Sequence, residues 1–150
     1  MLRDSDHAVI VAGGSGIAVA WPLVWAVLGN TQDEDPEDAA KATNTKLILF
    51  IWIIREKSHL AWLGPEKVQQ LQDRGVGVEI PPPTAEAGHP DIGFLVSDWV
   101  AAVHDRTTDC STIGVVASGP DGMNRAVRNT CASMAWQGRS VSVEIEKFGW

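Results

Sequence analysis

The chain has 150 residues, 45% of them hydrophobic and 21% charged, a balance that fits one soluble globular domain and excludes a wholly disordered, collagenous or coiled-coil protein. Twelve basic residues against nineteen acidic ones give a net charge of −7, so no basic face for nucleic acid is expected and adsorption to anionic lipid is disfavoured. A chain of this length buries roughly 68–70% of its unfolded surface and needs no covalent staple. The two cysteines, Cys110 and Cys131, form no C-x-x-C pair, which argues against a structural zinc site and for a reducing compartment. The histidines, His7, His59, His89 and His104, are scattered without ligand spacing. They read as surface or capping residues, and no metal is expected.

From Ala8 to Leu28 every residue is apolar or glycine except Ser15 and Pro22, a run of 21 residues that is long enough to cross a bilayer. Three features oppose that reading. The cluster Gly13-Gly14-Ser15-Gly16 interrupts it, the opening Ala8-Val9-Ile10-Val11-Ala12 has the β-branched character of a buried parallel strand, and acidic residues flank both ends. Asp4 and Asp6 also outnumber Arg3 where a signal peptide would carry positive charge. The run reads as strand, glycine turn and buried helix. Pro22 marks a kink or restart of that helix, and Gly29-Asn30 marks its stop. Residues 30–44 then read as an acidic mobile loop, with five acids between Gln32 and Asp38.

Lys46 to Ile54 is a continuous β-prone run without alternation, as in a strand covered on both faces. Pro65 to Arg74 follows as a short helix that Gly75 ends. Val76 to Ile80 is a shorter strand, and the three prolines Pro81 to Pro83 after it suit a sheet edge. Asp91 to Asp105 reads as a helix with Ile92, Leu95, Val96, Trp99, Val100 and Val103 on one face. Ile113 to Ala117 is a fourth strand, Asp121 to Gln137 a helix with Met123, Val127, Thr130, Cys131 and Met134 inward, and Val141 to Glu146 a last strand. This alternation predicts an α/β fold: a three-layer, doubly wound, parallel five-stranded sheet filling residues 8–150. Such sheets bind ligands beyond the carboxyl ends of their strands. Those ends carry the glycine cluster, Arg55-Glu56 and Ser118-Gly119-Pro120.

Backbone N–H groups at a helix start lack intrahelical partners and lie at the positive end of the helix dipole, a ready site for phosphate. Gly13-Gly14-Ser15-Gly16 supplies such a start directly after a strand, although tight-turn sterics alone also explain the glycines. The G-x-G-x-x-G fingerprint is incomplete because Val19 stands at its last position. Ile17 excludes a G-x-S-x-G elbow, and no Gly-Lys-Ser/Thr follows. Arg55 occupies the place where an arginine accommodates the 2′-phosphate of NADP and an acid the free ribose of NAD. A solvated Arg55-Glu56 surface pair is the competing reading, and Glu56 is itself a candidate for ribose.

Four ordered segments carry a resemblance: Val11 to Ile17, Ile51 to Glu56, Ala117 to Met123, and Glu146-Lys147-Phe148-Gly149-Trp150. Together they resemble the ferric reductase and NADPH oxidase family, and more narrowly the C-terminal NAD(P)-binding domain of fungal ferric-chelate reductases, within the ferredoxin-NADP reductase-like group. The resemblance implies that NADPH gives a hydride to FAD, from which electrons cross a membrane through haem to ferric iron. It implies that Gly13, Gly14, Ser15, Gly16 and Ile17 hold the pyrophosphate and Arg55 the 2′-phosphate. Ser118, Gly119 and Pro120 would lie at the nicotinamide, with Ser118 in place of the family's usual cysteine, and Met123 beneath that loop. Trp150 would stack on the flavin, with Phe148 as the alternative in a shifted register, and Glu146 would orient the carboxamide or move a proton. His89 stands where relatives often carry arginine.

The family's flavin motif contains tyrosine, and this chain has none; paired haem-binding histidines on long apolar helices are missing too. The chain therefore reads as a fragment or truncated product that needs a flavin domain and a haem-carrying membrane domain as partners. Itself soluble, it would work at the cytosolic face of a membrane. A non-catalytic nucleotide-binding module and the nucleotide domain of a superoxide-generating oxidase are the alternatives.

Overall fold

The computed structural model describes residues 5–32, 47–104 and 112–146. Five parallel strands form one sheet in the order β3-β2-β1-β4-β5. They are β1 (His7–Gly13), β2 (Leu47–Ile53), β3 (Gly77–Glu79), β4 (Thr112–Ser118) and β5 (Ser140–Glu146). Between them run α1 (Ile17–Gln32), α2 (Gly64–Asp73), the single turn α3 (Thr84–Ala87), α4 (Ile92–His104) and α5 (Asp121–Trp136), with 3-10 turns at Gly14–Gly16 and Lys57–Trp62. The doubly wound architecture predicted from the alternation is thus the one observed.

The side-chain alternation of β1 explains the three layers. Ala8, Ile10 and Ala12 point to one face and join Ala20, Val24 and Val27 of α1 and Leu71 of α2. Val9 and Val11 point to the other and join Val96 and Val100 of α4 and Val127, Cys131 and Met134 of α5. A strand with both faces covered has no use for alternating polarity, which is why β1 and β2 read as unbroken apolar runs. Trp52 and Phe50 of β2 are fully buried on the α1 side. On that side Trp21 and Trp25 of α1 meet edge to face at 5.8 Å. The Arg74 guanidinium lies 5.5 Å above the Trp25 ring and ties the end of α2 to α1.

At the opposite end of the sheet, Asp6 joins β1 to β4 by accepting the Thr112 N–H at 2.9 Å while its own N–H donates to Thr112 Oγ1. His7 is buried rather than on the surface, and its Nδ1 accepts the Leu47 N–H at 3.2 Å, so it caps the start of β2.

Two sequence expectations change at α1. Of the kink and the restart expected at Pro22, the restart does not occur, since one helix runs through it. It also passes Gly29-Asn30 and continues to Gln32, because Gly29 is not among the glycines with positive φ that a left-handed stop requires. Gly75 does adopt that conformation, with φ +84, and ends α2 as expected. Residues 33–44 of the acidic stretch lie outside the described residues. No helix among the described residues is long and apolar enough to cross a membrane.

Candidate functional site

Strand register assembles the site. Ala12 pairs with Ser118, Gly13 with Ile53, and Ser118 with Glu146. The turn after β1, the Arg55 segment after β2, the Ser118 loop after β4 and the end of β5 therefore leave one edge of the sheet side by side. From β2 to β5 that edge spans three strand spacings, about 14 Å.

The glycine turn packs directly against the Ser118 loop. A Cβ on Gly16 would lie 2.0 Å from the Ser118 carbonyl oxygen, and one on Gly13 would lie 2.7 Å from Met123 Sδ and 2.9 Å from Pro120 Cδ. Gly119 is equally enclosed, since its Cβ would meet Met123 Cε at 2.6 Å and Gly13 Cα at 3.1 Å. Met123 thus packs against both turns. Gly14 differs. It has φ +55 and open space on its Cβ side, so a backbone conformation is what requires glycine there. Ser15 is exposed, and Gly16 leads into Ile17, whose N–H donates to the carbonyls of Gly14 and Ser15.

Two side chains that hold these turns were missed from the sequence. The buried Trp52 donates its indole N–H to the Gly14 carbonyl at 3.4 Å. Asn124, 2% exposed, donates from Nδ2 to the Gly119 carbonyl at 3.0 Å. Ser118 is also buried, and its Oγ has no hydrogen-bond partner among the described residues. Such an oxygen at the crossing of two loops is the kind of group a bound polar molecule satisfies.

Arg55 extends from the sheet edge as an exposed side chain, while its backbone is fixed. The Ile54 and Arg55 carbonyls accept the N–H groups of Thr84 and Ala85, at 2.9 and 3.0 Å. Among the described residues no ion pair joins Arg55 to Glu56; Glu56 instead accepts a long hydrogen bond of 3.4 Å from Ser58 Oγ. The guanidinium is available to an anion. His89 is exposed in the loop between α3 and α4. An apolar cleft of about 380 Å³ adjoins the turn on the α1 side, between Trp21, Pro22, Trp62 and Leu63, with Ser15 and Lys67 at its margin. Phe148 and Trp150 lie outside the described residues, and of Glu146 only the backbone position in β5 is described.

A doubly wound parallel sheet with a glycine turn leading into a helix at its topological switch point defines a nucleotide-binding α/β domain. The chain belongs to the family described as the ferric reductase NAD binding domain, whose model matches residues 5–80, about half of the sequence. Comparison with curated protein sequences found no match. Among solved structures the fold is similar to the C-terminal domain of a hydrogenase from Pyrococcus furiosus, with a TM-score of 0.50 and 13% sequence identity, covering 96% of this chain and 95% of that one. That likeness concerns the fold.

Proposed function

We propose that this domain binds NADPH and presents it to a flavin, as the nucleotide-binding part of a ferric reductase. The observation that carries the reading is Arg55 just past the end of β2, exposed and without an ion pair among the described residues, beside a glycine turn in a chain of the ferric reductase NAD binding domain family. The residues present fit the coenzyme. The pyrophosphate would sit against the glycine turn at the positive end of α1, where Gly14 and exposed Ser15 leave the approach open, and Arg55 would supply a charge-assisted fork for a 2′-phosphate. The Ser118 loop would hold the nicotinamide end, where the buried Ser118 Oγ lacks a partner among the described residues.

Bound NADPH would supply a hydride to FAD. The work of this chain is to fix the donor ring in place and exclude water around it, since hydride transfer requires the reacting atoms to be held about 3–3.5 Å apart. The flavin, and the haem that carries electrons to ferric iron at a membrane, would belong to partner domains. Glu146, Phe148 and Trp150 are assigned to the nicotinamide and flavin end on the resemblance alone.

Titration of the purified chain with NADPH and NADH, followed by tryptophan fluorescence, tests the reading. Saturable binding with NADPH preferred supports it, and no binding of either refutes it. Addition of a separately expressed flavin domain then tests the redox role. Bleaching of the flavin by NADPH is expected, and a nucleotide-loaded but inert mixture would leave only a binding module.

A further inference from the structure

The inward face of α5 is formed by Asn124, Val127, Cys131 and Met134. Three of these are apolar or behave so, and they pack into the core on that side of the sheet. Asn124 is as buried as its neighbours, at 2% exposure, yet it places a primary amide at the foot of the Ser118 loop. Its side chain acts on that loop, while its backbone makes the first i→i−4 bond of α5. Nδ2 donates to the Gly119 carbonyl, and the backbone N–H donates to the Pro120 carbonyl, each at 3.0 Å. Its Oδ1 is buried without a partner among the described residues. An aliphatic residue would fill the same space with no orphaned acceptor, so what the amide contributes here is the bond from Nδ2.

What Nδ2 does follows from the contacts of Gly119. Holding its carbonyl fixes the peptide that brings Gly119 to the Gly13 backbone and the Met123 thioether. One donor thereby locks the loop after β4 onto the turn after β1. We propose that Asn124 is a positioning residue for the dinucleotide: it holds the Ser118-Gly119-Pro120 loop against the Gly13–Gly16 turn in the arrangement that accepts the coenzyme. The role rests on the NADPH reading above.

Asn124→Asp tests it with almost no change of shape. A protonated carboxyl can donate to the Gly119 carbonyl as the amide does, whereas a carboxylate presents an oxygen to an oxygen and breaks the lock. The loop residues that face this side chain, Gly119 and Pro120, carry no titratable group. Among the described side chains, the charged ones on the elements around it, Asp121, Arg125 and Arg128 on α5, Asp98 on α4 and Glu144 on β5, are exposed; Glu146, also on β5, is the charged residue whose strand position pairs with Ser118.

NADP⁺ affinity is measured for wild type and variant from mildly acidic to alkaline pH, with circular dichroism on each sample. Burial and the Gly119 carbonyl favour the protonated carboxyl, so the expected result is a loss of about tenfold for Asn124→Asp at the alkaline end that largely disappears on acidification, measured against wild type at the same pH. Asn124→Ala, which removes the donor without adding charge, is expected to lose about threefold to tenfold at both ends of the range. It serves as the test if the Asp variant does not fold at the alkaline end. Folded variants with wild-type affinity overturn the proposal, as does an equal loss for Asn124→Asp at both ends. Failure of the wild-type chain to bind NADP⁺ overturns the nucleotide reading instead, and this role with it.

Discussion

Gly16 is where the structure makes its sharpest demand on the sequence. In Gly16→Ala the new methyl would sit 2.0 Å from the Ser118 carbonyl oxygen and 2.8 Å from its carbon, against ordinary C···O approaches of about 3.3–3.6 Å. Relief requires a movement of more than about 1 Å. The obstacle is backbone, and it cannot swing aside like a side chain. Ser118 is paired on one side with Ala12 and on the other with Glu146, so displacing it disturbs both ladders. Overpacking of this kind costs about 3 kcal/mol or more, which for a domain of this size lowers Tm by about 6–12 °C.

Gly14→Ala is the control. Nothing lies within 4 Å of its added methyl, and the cost is that of a left-handed residue at φ +55, about 1–2 kcal/mol. Thermal unfolding by circular dichroism, paired with NADPH titration, separates the two. Gly16→Ala is expected to be the less stable variant, and Gly14→Ala to fold while binding NADPH more weakly, since its methyl points to the open side of the turn. A Gly16→Ala protein that unfolds at the wild-type temperature would refute the steric account.

Arg55→Ala is expected to narrow the preference for NADPH over NADH by about tenfold or more, the loss of one charge-assisted contact of about 1.5–3 kcal/mol; an unchanged ratio of Kd values would make Arg55 a surface decoration. Trp52→Phe removes the donor to the Gly14 carbonyl and some buried volume, and a loss of about 1–3 kcal/mol in urea unfolding is expected, with NADPH affinity reduced alongside. Burial pushes the Cys131 thiol up to about 11 from 9.0. The folded state therefore keeps its proton where the unfolded chain loses one, and stability should fall as pH rises from about 9 toward 11. Cys131→Ala should flatten that part of the Tm–pH curve, and in a Cys110→Ser background the remaining thiol should react with a thiol reagent only on unfolding.

The layers were legible because they rest on local pattern. Unbroken β-branched runs announced β1 and β2 as doubly covered strands, and the spacing of Ile92, Val96 and Val100 announced the buried face of α4. The site was legible only as far as its glycines, Arg55 and Ser118. Trp52 reaches Gly14 across 38 positions of sequence, and nothing near either residue signals the pairing. Asn124 was passed over because a polar residue amid an amphipathic helix pattern reads as an interruption, not as part of the buried face. Gly29-Asn30 misled in the other direction. Its composition fits a helix stop, but a stop also needs a left-handed backbone, which composition cannot show.

The glycines of the turn do not share one cause. Gly13 and Gly16 are small because the Ser118 loop and Met123 occupy the space a side chain would need, and that demand exists with or without a ligand. Gly14 alone faces open space, and with exposed Ser15 it forms the side from which an anion can approach the start of α1. A glycine-rich turn after a parallel strand is therefore partly a packing signature of the doubly wound sheet. A nucleotide site is argued from the part of the turn that packing leaves unexplained, from Arg55 after β2 on one side of it, and from the buried Ser118 oxygen at the end of β4 on the other. Substitutions at Gly14 and Arg55 should consequently weaken coenzyme binding with small effects on folding, while those at Gly13 and Gly16 should act on folding first.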